Sequence, residues 1–246
     1  MKSNVVLILT GTITPQISTK MVITDPDTRL NEYLRAVKWY LENTPYKVVF
    51  CENSGYANFT NHLGEVDYDR FEYITFKKEK IIGGAGYGEW EILRTIKEKS
   101  AFVKDATIIM KCTGRLILLN VKNVMSQFSN LHGSCFAGNY ARDFLSMGTT
   151  FFAFTPDLFD DILSIHEDIL HNWVEKAIII FVHRQFKKDP KSIVLFNRPL
   201  FVSGRSGHYG NTYDTPMWMK PIRYIRKSQR LLEWHLITKR KFRKIL

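Results

Sequence analysis

Apolar runs and polar interruptions alternate along the first half of the chain. The mostly apolar runs predict buried strands, and one alternating segment predicts a strand with a partly exposed face. These strands occupy residues 5–9, 47–51, 71–76 and 106–110. Apolar residues at helical spacing predict helices at residues 26–43 and 89–99. Strands that alternate with helices predict an α/β fold with a mainly parallel central sheet flanked by helices.

The second half has a less regular pattern. We predict a strand at residues 149–154, a helix that starts at Thr155-Pro156, a helix at 172–186, and a short strand at 192–196. A loop rich in glycine and aromatic residues follows at 203–213. The 246 residues, 45% of them hydrophobic, fit one domain. We divide it into a body of residues 1–219, with halves 1–120 and 121–219, and a helical tail of residues 220–246.

Positive charge is concentrated in this tail. It contains ten Lys or Arg and one Glu, and so carries +9 of the net charge of +11. Large apolar residues lie among the charges, as in helices that bind anionic membrane surfaces. Nucleic acid is the alternative partner, but the body has no excess of positive charge that would favour it.

Cysteine usage and the N-terminus exclude other classes. The three cysteines are widely spaced, which argues against structural zinc and a disulfide framework. The first apolar run is too short for a membrane span and lacks a cleavage site, so we expect a cytoplasmic protein.

Polar residues follow three of the predicted strands. They are Thr10, Gly11 and Thr12 after the first strand, Glu52 and Asn53 after the second, and Lys111, Thr113 and Arg115 after the fourth. Carboxyl ends of parallel strands meet at one edge, where α/β sheets bind ligands. A glycine-rich turn with Gly86 and Gly88 precedes the helix from Glu89, and a helix N-terminus favours an anion. Together these features predict a site for a phosphate-bearing ligand, with Lys111 and Arg115 neutralising a diphosphate.

This order of elements resembles the GT-A fold of nucleotide-sugar-dependent glycosyltransferases, in particular small bacterial enzymes of capsule and lipopolysaccharide synthesis. The resemblance covers roughly residues 1–120. It implies that the base lies between the loops at Thr10 and Asn53, with the diphosphate near Gly86, Gly88 and Glu89. It also implies an Asp-x-Asp motif that holds Mn²⁺ or Mg²⁺ at the fourth strand's end. That end here reads Cys112-Thr113-Gly114-Arg115, so the metal is left unassigned. Asp67-Tyr68-Asp69 precedes the third strand, and we interpret it as a solvated loop.

The acceptor half offers one candidate general base and one candidate lid. If the reaction inverts the anomeric centre, we expect Glu175, next to Trp173, to remove the acceptor proton, with Asp143 in reserve. Arg205, His208 and Tyr209 in the glycine-rich loop are predicted to close over donor and acceptor.

The resulting hypothesis is a glycosyltransferase that moves a sugar from a nucleotide diphosphate to a hydroxyl of a lipid-linked or oligosaccharide acceptor in bacterial surface polysaccharide synthesis. Its tail would hold it on the inner face of the cell membrane. Two alternatives remain: a nucleic-acid-binding α/β protein, and another nucleotide-using transferase such as a methyltransferase.

Overall fold

A computed structural model describes residues 4–15, 21–78, 84–128, 133–140, 145–171, 174–207 and 210–245. Its strands are β1 (Val5–Gly11), β2 (Lys47–Glu52), β3 (Phe71–Thr75), β4 (Ile108–Thr113), β5 (Ile117–Leu118), β6 (Phe136–Tyr140), β7 (Met147–Phe154), β8 (Ile193–Leu195) and β9 (Val202–Ser203). Its α-helices are α1 (Pro26–Asn43), α2 (Gly84–Lys99), α3 (Ala101–Lys104), α4 (Val121–Met125), α5 (Phe159–Leu163), α6 (His166–His171), α7 (Val174–Lys188) and α8 (Met219–Ile245).

Seven strands form one sheet in the order β3-β2-β1-β4-β7-β6-β8. The first four strands along the chain pair in parallel, β7 runs antiparallel to β4 and β6, and β8 is parallel to β6. A separate antiparallel pair joins β5 to β9. The predicted α/β fold with a mainly parallel sheet is therefore confirmed.

Helices cover both faces of the sheet. Apolar residues of α1 and α4 pack on one face, and apolar residues of α2, α5, α6 and α7 pack on the other. Successive strand residues point to opposite faces, so the unbroken run of β1 contributes Leu7 to the first core and Ile8 to the second. Burial on both sides explains why these strands lack a polar alternation.

Helix α1 agrees with the sequence prediction at both ends. Asp25 is the N-cap, where its carboxylate accepts a hydrogen bond from the Thr28 backbone N–H at 2.7 Å, and Pro26 occupies the first turn. The helix ends at Asn43, as expected. The Thr28 contacts lower the pKa of Asp25.

Several other boundaries differ from the prediction. Strands β1, β2 and β4 extend one to three residues further than their apolar runs, and α2 begins at Gly84 rather than Glu89. The helix predicted from Pro156 is broken into a 3-10 turn, α5 and α6, and β6 and α4 were not predicted. Strand extension has a physical cause: once two neighbours are paired, backbone hydrogen bonding continues through polar residues as readily as through apolar ones.

The C-terminal helix α8 docks on the body through aromatic contacts. Trp234 stacks on Tyr140 with ring centroids 5.1 Å apart, and Tyr224 meets Phe201 edge to face at 5.6 Å. Over the part of the chain described here, no helix combines the length and apolar character needed to cross a membrane.

Two glycines make room for an aromatic ring where β1 and β4 end. A Cβ on Gly11 would lie 2.8 Å from the Tyr33 ring, and one on Gly114 would lie 3.2 Å from that ring and 2.8 Å from the Thr10 carbonyl oxygen. Tyr33 also contacts Phe50, with ring centroids 5.0 Å apart. The close packing of these strand ends therefore depends on glycine.

We expect Gly114→Ala to lower the free energy of unfolding by about 1–3 kcal/mol, because the new methyl group meets backbone that cannot rotate away. Gly148→Ala is the matched control, since its nearest neighbour beyond adjacent residues is the Asn139 carbonyl oxygen at 3.8 Å. Urea unfolding of both variants measures the difference. Equal stability of the two proteins would contradict the packing argument.

Candidate functional site

Parallel pairing brings the predicted polar residues of three strands to one edge. Thr10 of β1 lies opposite Thr113 of β4, and Gly11 lies opposite Glu52 of β2. Beyond the pairing, the Thr12 hydroxyl donates a hydrogen bond to Asn53 Oδ1 at 2.6 Å. The carboxyl ends of β1, β2 and β4 thus form one continuous rim.

Helix α2 reaches this rim through Asn53. The Asn53 side-chain amide donates to the Gly88 carbonyl oxygen at 3.4 Å. A Cβ on Gly88 would lie 3.1 Å from that amide nitrogen and 3.8 Å from Lys78 Nζ, so glycine allows this close approach. Lys78 was not singled out in the sequence. Its ammonium lies 3.3 Å from Glu91 and 5.2 Å from the Tyr87 ring centroid, at the same place.

The helix boundary corrects one part of the prediction. Gly86 and Gly88 lie inside α2, which begins at Gly84, and not in a turn that precedes it. Only the first four N–H groups of a helix lack an internal partner, so the predicted helix start at Gly88 is wrong. Helices usually contain few glycines, so Gly84, Gly86 and Gly88 led to a predicted helix start that is too late in the sequence.

The loop after β1 is fixed by two residues of α1 that the sequence analysis did not single out. The Tyr33 hydroxyl accepts a hydrogen bond from the Thr12 N–H at 2.9 Å. Arg29 is buried and donates to the carbonyl oxygens of Thr12 at 2.6 Å and Ile23 at 3.0 Å. Both fall on the buried stripe of α1, and a polar residue on such a stripe was the signal that could have revealed them.

Glu52 has an internal role in this structure. Its side chain is completely buried, because β2 extends to this residue. The carboxylate accepts hydrogen bonds from the backbone N–H groups of Ser54 at 2.8 Å and Tyr56 at 2.7 Å, and from the Ser54 and Thr75 hydroxyls. These bonds shape the loop that carries Asn53. Direct contact of Glu52 with a donor stays a prediction.

Lys111 is also internal, because β4 continues to Thr113 and turns this side chain towards α2. The residue is fully buried and its ammonium pairs with the carboxylate of Glu89. It also donates to the Thr149 carbonyl oxygen at 2.7 Å. Neutralisation of a diphosphate by Lys111 would require it to leave Glu89, and it stays a prediction.

Arg115 belongs to a cluster of three charges on the α1 face. One of its terminal nitrogens lies 3.2 Å from a Glu32 carboxylate oxygen, and Arg205 contacts the other oxygen at 2.9 Å. Two guanidinium groups share one carboxylate, so the cluster keeps a net positive charge. The buried Nε of Arg115 has no hydrogen-bond partner among the described residues. Arg115 and Arg205, predicted separately as donor and lid residues, are thus brought together, whereas Gly88 lies on the opposite face of the sheet.

Glu175 lies in the first turn of α7, beside the start of α2. A Cβ on Gly86 would lie 3.0 Å from Val174, the first residue of α7. The helix therefore begins at the rim, with the Glu175 side chain half-buried. Another carboxylate, Asp214, lies on the α1 side, where it accepts from the Gly204 N–H at 3.3 Å next to Arg115. His208, Tyr209, Asp143 and Trp173 lie outside the described residues.

The end of β4 does not offer the ligands that a divalent metal requires. Thr113 supplies a hydroxyl, and the carboxylates nearby, Glu89 and Glu32, are paired with Lys111 and Arg115, whereas Mn²⁺ and Mg²⁺ prefer free carboxylates. No group of three His, Cys, Asp or Glu among the described residues has a metal-binding arrangement. Asp67 and Asp69 are exposed and precede β3, as the sequence predicted, and Arg70 lowers the pKa of Asp67 by hydrogen bonding.

Cysteine chemistry has no support at this site. All three cysteines are free and buried. Burial raises the pKa of Cys112 and of Cys135 to about 12, and also raises the pKa of Cys51. Since the thiolate is the nucleophile, these side chains are unreactive near neutral pH.

Comparison with solved structures agrees with this architecture. A protein from Desulfovibrio desulfuricans G20, described as a nucleotide-diphospho-sugar transferase, is 12% identical over 78% of this chain and 79% of its own, with a TM-score of 0.50. The chain therefore shares the Rossmann-like α/β fold of that protein, in agreement with the predicted fold class.

Two further structures align with lower scores. A glycosyltransferase involved in the glycosylation of the major capsid of PBCV-1 is 8% identical over 78% of this chain and 81% of its own, with a TM-score of 0.46. A cytidylyltransferase from Leptospira borgpetersenii is 16% identical over 87% of this chain and 82% of its own, with a TM-score of 0.45. No protein-family model and no curated protein sequence matches the chain.

Removing Glu89 and removing Lys111 should reduce the free energy of unfolding by different amounts. Glu89→Gln leaves a fully buried ammonium without its counter-charge, so we expect a loss of about 3–5 kcal/mol in unfolding free energy. Lys111→Met leaves a carboxylate whose side chain is 22% exposed and can be rehydrated, so the loss should be smaller. Urea unfolding of both variants and of the double variant measures the order. A larger loss for Lys111→Met would contradict this account.

Proposed function

We propose that the protein is a glycosyltransferase that uses a nucleotide-sugar donor. The main support is the contact between the loops after β1 and β2 and helix α2, made by Thr12, Asn53 and Gly88. Amide and hydroxyl groups at the carboxyl edge of a parallel sheet are suited to hydrogen bonding with a nucleotide base and ribose. The fold shared with a nucleotide-diphospho-sugar transferase supports the same class of donor.

Catalysis would depend on positioning and on stabilising the departing diphosphate. The net positive cluster of Arg115, Arg205 and Glu32 supports an anionic leaving group at this edge. A hydroxyl of a lipid-linked or oligosaccharide acceptor would attack the sugar. In an inverting reaction, Glu175 would take its proton, and Asp214, on the side of the Arg115 cluster, is the second candidate carboxylate.

A thermal-shift panel tests the donor class. UDP, GDP, CMP, S-adenosylmethionine and a short oligonucleotide are each added with and without Mn²⁺. A bound nucleoside diphosphate at about 100 times its Kd adds roughly 2.7 kcal/mol, which raises Tm by about 5–10 °C for a chain of this size. Stabilisation by S-adenosylmethionine or the oligonucleotide alone would replace the proposal with a methyltransferase or a nucleic-acid-binding protein.

Asn53→Ala should weaken binding of the stabilising nucleotide by about tenfold, because the amide bridges the β1 loop and α2. Asn58→Ala is the matched control, since Asn58 is exposed on the loop after β2. Isothermal titration calorimetry of both variants gives the two Kd values. An unchanged Kd for Asn53→Ala would place the nucleotide elsewhere.

Glu175→Gln should lower kcat by about 100-fold or more with little change in donor Kd, if Glu175 is the general base. Glu167→Gln is the control, because the Glu167 side chain is 83% exposed on the preceding helix. Sugar transfer to the acceptor, once the donor is identified, is the assay. Loss of activity in Asp214→Asn but not in Glu175→Gln would reassign the base.

We propose further that α8 holds the protein on the inner face of an anionic membrane. Its docked face contacts the body, whereas its outward face exposes Ile225, Leu232 and Leu236, which are 62%, 62% and 48% exposed. These positions repeat at helical spacing and are flanked by cations, the pattern of an interfacial helix. Bacterial surface polysaccharide synthesis, with a lipid-linked acceptor, is the setting that this arrangement supports.

Liposome flotation tests the membrane proposal. The double variant Ile225→Ser/Leu232→Ser should lose most of its binding to vesicles that contain roughly 30–40% anionic lipid. Val22→Ser/Tyr68→Ser is the matched control, because those two side chains are 64% and 50% exposed and lie outside α8. Equal flotation of the two double variants would refute it.

A further inference from the structure

A cavity of about 420 Å³ lies between α8 and the sheet. Asn139, Gly148 and Thr150 line it from β6 and β7, and Leu200 and Tyr213 line it from the segment before α8. Helix α8 contributes four cations, which are Arg223, Arg226, Lys227 and Arg230. Among the described residues, the lining contains no carboxylate.

Three of these cations, Arg223, Arg226 and Lys227, have no carboxylate partner among the described residues. Arg223 donates to the Leu200 carbonyl oxygen at 3.1 Å, and Lys227 donates to Asn139 Oδ1 at 3.0 Å, so both contacts are with neutral groups. The fourth cation, Arg230, is already engaged: it lies 3.6 Å from the Glu233 carboxylate and donates to the Tyr140 carbonyl oxygen. Burial and the neighbouring Arg230 lower the pKa of Lys227 to about 8. The shift arises mainly because burial removes water from the ammonium, and the charge of Arg230 adds to it.

Docking of α8 does not rest on these cations alone. The aromatic contacts of Tyr224 with Phe201 and of Trp234 with Tyr140 already attach the helix to the body. Apolar residues at the four positions would avoid both desolvation and mutual repulsion. The cations therefore impose a cost in the free protein that a bound anion would offset.

The cavity lies beside the rim that carries the proposed donor site. Strand β7 is antiparallel to β4, with Phe151 opposite Cys112, so its first residues lie where β4 ends. Lys111 bonds to the carbonyl oxygen of Thr149, next to Thr150 in the cavity wall. The outward apolar stripe of α8 lies on the opposite side of the same helix. A molecule in the cavity would thus lie between the donor site and the membrane-facing surface.

We propose that this cavity binds a phosphate ester, the anionic group of the acceptor. Guanidinium groups bind phosphate oxygens in bidentate fashion, and those of Arg223 and Arg226 with the Lys227 ammonium match a phosphate or diphosphate. The volume leaves room for a substituent on the phosphate. Assignment to the acceptor rests on the proposed glycosyltransferase function, whereas the phosphate site itself depends only on the cavity and its charges.

Calorimetry at physiological ionic strength provides the test, with inorganic pyrophosphate, glucose 1-phosphate and farnesyl phosphate as probes. Arg226→Gln should weaken pyrophosphate binding about fivefold, and Arg223→Gln/Arg226→Gln more than about 20-fold. Arg226 makes no hydrogen bond or ion pair with another described residue, so the single variant should fold even if the double one does not. Lys122→Gln/Lys187→Gln, which removes two exposed cations elsewhere, should leave binding within about twofold.

The probes separate the possible sources of phosphate. Preference for farnesyl phosphate would identify a lipid-linked acceptor, and preference for glucose 1-phosphate a soluble sugar phosphate. Equal binding of farnesol or glucose would overturn the proposal, as would unchanged affinity in Arg226→Gln. Displacement of pyrophosphate by the stabilising nucleotide would also overturn it, because the anion would then occupy the donor site.

The two proposals fail separately. If no nucleotide binds but pyrophosphate binding still depends on Arg226, the phosphate cavity stands and the glycosyltransferase proposal is withdrawn. If nucleotide binding is normal and pyrophosphate binding is absent, the glycosyltransferase proposal stands and the phosphate cavity is withdrawn.

Discussion

The ring of Tyr33 organises the edge of the sheet on which the candidate site is built. It fills the space left by the missing side chains of Gly11 and Gly114, so the ends of β1 and β4 close around it. Its hydroxyl accepts the Thr12 N–H and thereby sets the loop that meets Asn53. Packing and hydrogen bonding at one aromatic residue thus couple the core of the fold to the geometry of the rim.

Charge at this rim is arranged in two different ways. Lys111 and Arg115 each have a carboxylate partner inside the protein, which limits the cost of burying them. Arg223, Arg226 and Lys227 of α8 line an open cavity and have no carboxylate partner among the described residues. The first arrangement stabilises the fold and orients the strand ends, whereas the second leaves an unsatisfied positive field, which is the physical requirement for attracting an anion.

Helix α8 illustrates how one amphipathic element serves three surfaces. Aromatic residues attach it to the body, cations face the cavity, and apolar residues face outward. Sequence composition identified a basic helix with interleaved apolar residues. It did not identify which cations face inward, because that depends on where Tyr140 and Phe201 receive Trp234 and Tyr224.

The sequence by itself determined the α/β class, the N-cap and end of α1, and the gathering of polar residues at one edge of the sheet, because these follow from local periodicity and from the parallel direction of the strands. Only the tertiary structure decided that Glu52 and Lys111 point inward. Pairing with β1 extends β2 and β4 past their apolar runs, and a one-residue change in where a strand ends decides whether a side chain reaches solvent. The Arg115–Glu32 pair and the Lys227–Asn139 contact at the cavity beneath α8 each join residues more than 80 positions apart. No local sequence pattern encodes such contacts.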